Sequence, residues 1–144
     1  MTHRDKGRFA AKHPSEKKAN PNIARLIDKY AKEGKITCNQ SFMIAEELKI
    51  PPAAVGMAID MMEVSITHCQ LGLFGYSPER RTIKPVESPA PALVVAIRCA
   101  REISAVSCAA LWEIASANSV SKMEAAGTCE ALGIKIRPCQ LGAF

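Results

Sequence analysis

The sequence predicts a mainly α fold with short β-strands, in which one three-helix unit is written twice. Three observations predict it. The hexapeptide Cys69-Gln70-Leu71-Gly72-Leu73-Phe74 returns as Cys139-Gln140-Leu141-Gly142-Ala143-Phe144. Helix-favouring Ala, Met, Glu, Lys and Ile dominate while only 5% of residues are aromatic, a helical composition. Apolar residues recur at helical spacing in short segments punctuated by proline and glycine. Residues 21–74 lie over 91–144 without a gap, matching Pro21 with Pro91, Ile27 with Ile97, Cys38 with Cys108, Ile44-Ala45 with Ile114-Ala115, and Ile66 with Ile136. At 144 residues and 48% apolar, the chain can bury one ordinary core or two small ones that lean on each other. The expected organisation is a basic arm over 1–20, a first repeat over 21–74, a linker over 75–90 and a second repeat over 91–144, packed as a pseudo-dimer.

Each repeat reads as helix, short strand, helix, tight turn, helix, strand. The first helix opens at Asn20-Pro21, an N-cap followed by proline at the first helical position. It faces Ile23, Leu26, Ile27, Tyr30 and Ala31 inward until Gly34 stops it. In the second repeat Pro91 opens the equivalent helix, with Leu93, Ala96, Ile97 and Ala100 inward. The extended pieces Lys35-Ile36-Thr37 and Ala105-Val106-Ser107 lead into the second helices. Thr37 and Gln40 make a capping box; Ser107 keeps the cap but has Ala110 where a partner would stand. The inward faces are Ile44, Ala45, Leu48 and Leu111, Ile114, Ala115. The third helices start at Pro52, with Val55, Ala58, Ile59 and Met62 inward, and at a Ser121/Glu124 capping box, with Ala125, Thr128, Cys129 and Leu132 inward. The strands Val64–Thr67 and Ile134–Arg137 then run into the Cys-Gln-Leu-Gly turns. Residues 75–91 read as a linker whose Arg81-Thr82-Ile83-Lys84 is placed to pair with 65–68 as the second strand of a wing.

The net charge of +5 is uneven. Residues 1–35 carry ten of the nineteen bases against four of the fourteen acids, leaving nine bases against ten acids elsewhere. The positive field therefore belongs to the arm and first helix. No apolar run is long enough to span a bilayer and the N-terminus lacks a signal-peptide core, so a cytoplasmic chain without membrane partners is expected.

The segment Ile44-Ala45-Glu46-Glu47-Leu48-Lys49-Ile50-Pro51-Pro52-Ala53-Ala54-Val55 resembles the helix-turn-helix of winged-helix transcriptional regulators. A small alanine lets the two helices cross closely, and Ile44, Leu48, Ile50 and Val55 fill the crevice. It departs from the pattern at Lys49, where glycine is usual. The second copy is a weaker match, with Asn118, Ser119 and Ala125 at three of these places, and an ordinary three-helix packing unit is the alternative. The resemblance implies a DNA-binding transcriptional regulator or accessory nucleic-acid-binding protein. The outward residues of the third helices are Ala53, Ala54, Met57, Asp60 and Met61, and Met123, Glu124, Gly127, Glu130 and Ala131, which match base edges poorly. Such faces suit a protein partner or a homodimer seam. DNA contact is then expected at phosphates, through the arm, Lys29, Lys32, Lys35, Arg80, Arg81, Lys84 and Lys122.

Cys38 and Cys108 stand in the first turn of a helix, where the dipole favours thiolate. Cys69 and Cys139 follow a strand that runs beside the strand leading to Cys38 or Cys108. Each copy is expected to bring two sulfurs together, and two copies four. Four thiolates suit zinc or an iron–sulfur cluster, a pair suits a redox switch, and burial as small apolar residues is the plain alternative. The alternative function is thus a non-enzymatic interaction module using paired cysteines. Cys129 reads as packing; Cys99 stands where the first copy has Lys29, a position for the seam between copies. His3, His13 and His68 form no pattern.

In Gln-Leu-Gly-x-Phe the glycine permits a turn, and leucine and phenylalanine fold back to close the core. Packing does not explain Gln70 and Gln140. This ending is similar to that of small regulators described as ModE-related, although no residues here point to a molybdate site. No Ser-His-Asp or Cys-His arrangement, phosphate-cradling loop or carboxylate cluster is present, so no enzyme is expected.

Overall fold

A computed structural model describes residues 20–76 and 82–143. It is mainly helical with four short strands among those residues, in an order that repeats. The first repeat runs α1 (Pro21–Tyr30), β1 (Lys35–Thr37), α2 (Cys38–Leu48), α3 (Pro52–Met61) and β2 (Ser65–Thr67). The second runs α4 (Pro91–Ala100), β3 (Ala105–Val106), α5 (Cys108–Ala117), α6 (Lys122–Leu132) and β4 (Lys135–Ile136).

Local chemistry sets the element boundaries. Asn20 Oδ1 accepts the Asn22 N–H at 2.9 Å ahead of α1. The full capping box forms at α2, with Thr37 and Gln40 exchanging bonds of 3.0 Å. Ser107 caps α5 with one bond of 3.1 Å from Ala110 N. Ser121 Oγ accepts from Glu124 N at 3.0 Å. Lys49, at the usual glycine position, closes α2 in the left-handed conformation with φ 54° and ψ 47°. Its counterpart Ser119 has φ 55°.

Each unit carries a two-stranded parallel ladder, β1 with β2 in the register Ile36 to Ile66, and β3 with β4 in the register Val106 to Ile136. A wing is an antiparallel hairpin, and residues 82–84 do not supply its second strand. Thr82 and Ile83 instead donate to the Gly72 carbonyl, at 2.9 and 3.3 Å. Arg81 lies outside the described residues.

The compact units do not coincide with the repeats. Among the described residues one unit comprises 20–69 with 140–143, and the other comprises 70–76 with 82–139. The closing segments are therefore exchanged: the tail after Cys139 completes the first unit, and the segment after Cys69 completes the second. In the first unit Ile27, Ile36, Ile44, Val55 and Ile59 are fully buried together with Leu141. In the second, Leu93, Ile97, Val106, Leu111 and Cys129 are buried with Leu71. The leucines do close a core, but that of the other repeat's unit.

The faces shift accordingly. Leu48, Met62, Ile114 and Leu132, along with Tyr30, Ala31, Ala96 and Ala100, are only half-buried, whereas Ser41, Asp60 and Gly127 are buried. Ser41 is accommodated because its hydroxyl donates to the Thr37 carbonyl at 2.9 Å, satisfying the buried oxygen inside its own helix.

Candidate functional site

The third helices decide how a helix-turn-helix can touch DNA, because the second of its two helices must present a free face to the major groove. In α6 the five consecutive residues Ala125 to Cys129 are all buried. Five residues span more than a full turn, so the middle of α6 has no outward face. The linker covers the side expected to be exposed. Val86 N donates to the Gly127 carbonyl at 3.1 Å, and a Cβ on Gly127 would lie 2.7 Å from the Lys84 carbonyl oxygen. In α3, Asp60 turns out to be buried and the remaining outer arc is Ala53, Ala54, Met57 and Met61. No base-reading donor stands on that arc.

The cations are arranged more informatively. Lys32 and Lys35 exchange both backbone bonds, at 2.8 and 2.9 Å, across a turn in which Glu33 and Gly34 have φ of 54° and 73°. Directly opposed residues of an antiparallel bridge project to the same side. The Lys32 and Lys35 side chains thus leave the hairpin tip from the same side, both exposed. Lys29 is exposed in the last turn of α1, three residues before, with its Nζ 5.5 Å from the Tyr30 ring centroid. Glu33 is the acid within this tip. The counterparts in the second unit are Cys99, Glu102 and Ala105. The lysine trio is particular to the first unit, while the corresponding turn of the second carries Arg98 and Arg101, both exposed.

The other expected phosphate ligands fall elsewhere. Lys84 is exposed in the second unit, where its backbone packs on α6. Lys122 is half-buried and lies over the Trp112 ring, with Nζ 4.4 Å from the centroid. Arg80, Arg81 and residues 1–19 of the arm lie outside the described residues.

Trp112 and Lys122 form one side of an open groove of about 570 Å³ in the second unit, whose lining includes Gln70, Ser116, Val120 and Met123. Gln70, which packing within its own repeat did not explain, is thus placed at the α5–α6 turn of the second unit, to which it belongs. Sequence reasoning passed over Trp112; its only signal was being the single tryptophan of the chain. One titratable group, Lys122, lines the groove, so it holds no acid–base pair.

Compared with protein-family models, with curated proteins and with solved structures, the chain matches none.

The six cysteines form no disulfide. Among the described residues, which include all six, no three or more His, Cys, Asp or Glu are grouped so as to hold a metal ion. Cys38 and Cys69 belong to the first unit and Cys108 and Cys139 to the second, and a zinc or iron–sulfur site needs about four ligands, so neither pair alone makes one. Cys129 is fully buried, and burial, with the Glu130 charge adding to it, pushes its thiol up to about 11. It is a packing residue. Cys99 is exposed on α4. No helix among the described residues is long and apolar enough to cross a membrane.

Proposed function

We propose that the protein is a non-enzymatic accessory nucleic-acid-binding protein, built on two related helix-turn-helix units, that grips phosphates and does not read bases. The observation that carries this reading is the Lys32–Lys35 bridge. Like charges held directly opposite one another are unfavourable on their own. A phosphate between them turns that cost into a gain, and Lys29 adds a third cation from the adjoining helix end. A helix C-terminus also favours cations, so Lys29 is compatible with stability while serving as a contact. Lys84, exposed on the second unit, and the bases of residues 1–19 are further candidates for phosphate contact. The occupied face of α6 and the donor-poor arc of α3 argue for affinity without sequence choice.

The test is retention on DNA of mixed sequence as a function of salt. Replacing Lys29, Lys32 and Lys35 together by alanine should reduce the slope of log affinity against log salt by about 2 to 3, equally for every sequence. An unchanged slope, or retention that depends on sequence, would refute the reading.

A second reading is favoured by the apolar arc of α3. Met57 and Met61 beside Ala53 and Ala54 form a small patch of the kind protein contacts use. A partner held there would be lost in Met57→Asp, whereas salt would affect it little.

A further inference from the structure

Both repeats keep a cysteine at the head of the second helix and another thirty-one residues later, although most other positions have diverged. In the second unit the backbone shows what that spacing achieves. The Cys108 N–H donates to the Pro138 carbonyl at 3.1 Å. Cys139 follows Pro138 directly. Adding one N–Cα bond on one side and one peptide unit on the other puts the two Cα atoms about 6 Å apart. That lies within the span a disulfide bridges. Cys108 is buried while Cys139 is half-exposed, so an oxidant reaches one of the two directly. In the first unit the Thr37 to Thr67 register brings Cys38 and Cys69 to the same end of the ladder, with exposures of only 5% and 4%.

We propose that Cys108 and Cys139 are an oxidisable pair that closes a disulfide in response to hydrogen peroxide, with Cys38 and Cys69 its shielded counterpart. The Cys139 thiolate attacks one peroxide oxygen, the O–O bond breaks, and the departing hydroxide is protonated to water, leaving a sulfenic acid. The Cys108 thiolate then attacks the sulfenic sulfur and a second water leaves. Two thiols have lost two electrons and peroxide has become two waters. Thiol reductants reverse the bond. The link ties the start of α5 to the residue at which the chain leaves the second unit for the tail that completes the first. It is independent of whether the protein binds nucleic acid.

The experiment uses the full chain carrying Cys99→Ser, which removes the exposed thiol from cross-chain coupling. After graded peroxide the remaining thiols are alkylated, the protein is digested with trypsin without reduction, and peptides are weighed. The expected product is peptide 102–122 joined to 136–144 with two hydrogens lost. It should appear at lower peroxide than peptide 36–49 joined to 50–80. It should vanish on reduction and in Cys139→Ser, and persist in Cys129→Ser. The parent chain alone already decides the matter should a variant fail to fold. Alkylation of both Cys108 and Cys139 after peroxide, a Cys139 sulfinic acid beside an alkylated Cys108, or prior formation of the 36–49 link would each overturn it.

Discussion

The Leu141 carbonyl is seated directly on Gly56 in α3, so closely that a Cβ at that position would overlap it. Glycine within a helix costs about 1 kcal/mol relative to alanine, and this backbone contact is what the glycine permits. It also fixes where the C-terminal segment docks.

The contact predicts a ranking of two substitutions. Gly56→Ala meets backbone that cannot swing aside, and overpacking of about 2–3 kcal/mol should outweigh the helix gain. Gly127→Ala also meets backbone, the Lys84 carbonyl oxygen at 2.7 Å, with the Val86 side chain at 3.0 Å, which is the milder overlap. Its net cost should be smaller, about 1–2 kcal/mol. Urea midpoints give the ranking. Amide exchange at residues 140–143 should become fast in Gly56→Ala; persistent protection there would contradict the docking.

Three non-glycine residues in left-handed conformations predict gains. Lys49 and Ser119 have φ of 54° and 55°, and Ile103 has φ 57° while being 98% exposed. Lys49→Gly and Ser119→Gly should each stabilise by about 0.5–1 kcal/mol. Ile103→Gly should give about 1 kcal/mol or more, since a β-branched residue is the more strained there and no packing is lost. The midpoints should rise with the urea slope unchanged.

Caps predict a graded loss. Thr37 Oγ1 accepts from the Gln40 N–H while the Thr37 N–H donates to Gln40 Oε1, so Thr37→Ala combined with Gln40→Ala removes both bonds and should cost about 1.5–2 kcal/mol. Ser107→Ala removes a single bond and should cost about 1 kcal/mol or less. Equal losses in thermal or urea unfolding would show that the reciprocal bond contributes nothing.

Cys129 predicts an alkaline limb. Its thiol is raised from 9.0 to about 11, so the folded state keeps it neutral while the unfolded chain ionises first. The stability it contributes is fully present below pH 9 and is lost as pH rises toward 11. That difference corresponds to at most about 2–3 kcal/mol. The difference in unfolding free energy between the parent and Cys129→Ala should narrow over this range, and a constant difference would exclude the effect.

The sequence by itself determined the duplication, the helical character, the starts of α1, α2, α5 and α6, and the leucines that finish each core. These follow from short-range chemistry: caps, prolines, and apolar spacing along a few turns of chain. Lys29, Lys32 and Lys35 were legible in the sequence as charges, whereas the bridge between Lys32 and Lys35 is seen only in the structure. Only the tertiary structure decided that each Gln-Leu-Gly segment completes the other repeat's unit, that residues 82–86 follow Gly72 and α6 in place of a wing, and that Asp60 and Gly127 are buried. Two nearly identical closing segments fit either of two nearly identical slots, so their side-chain patterns cannot distinguish the pairings. The choice rests on chain connection and backbone close approach, and neither leaves a periodic signature in the residues.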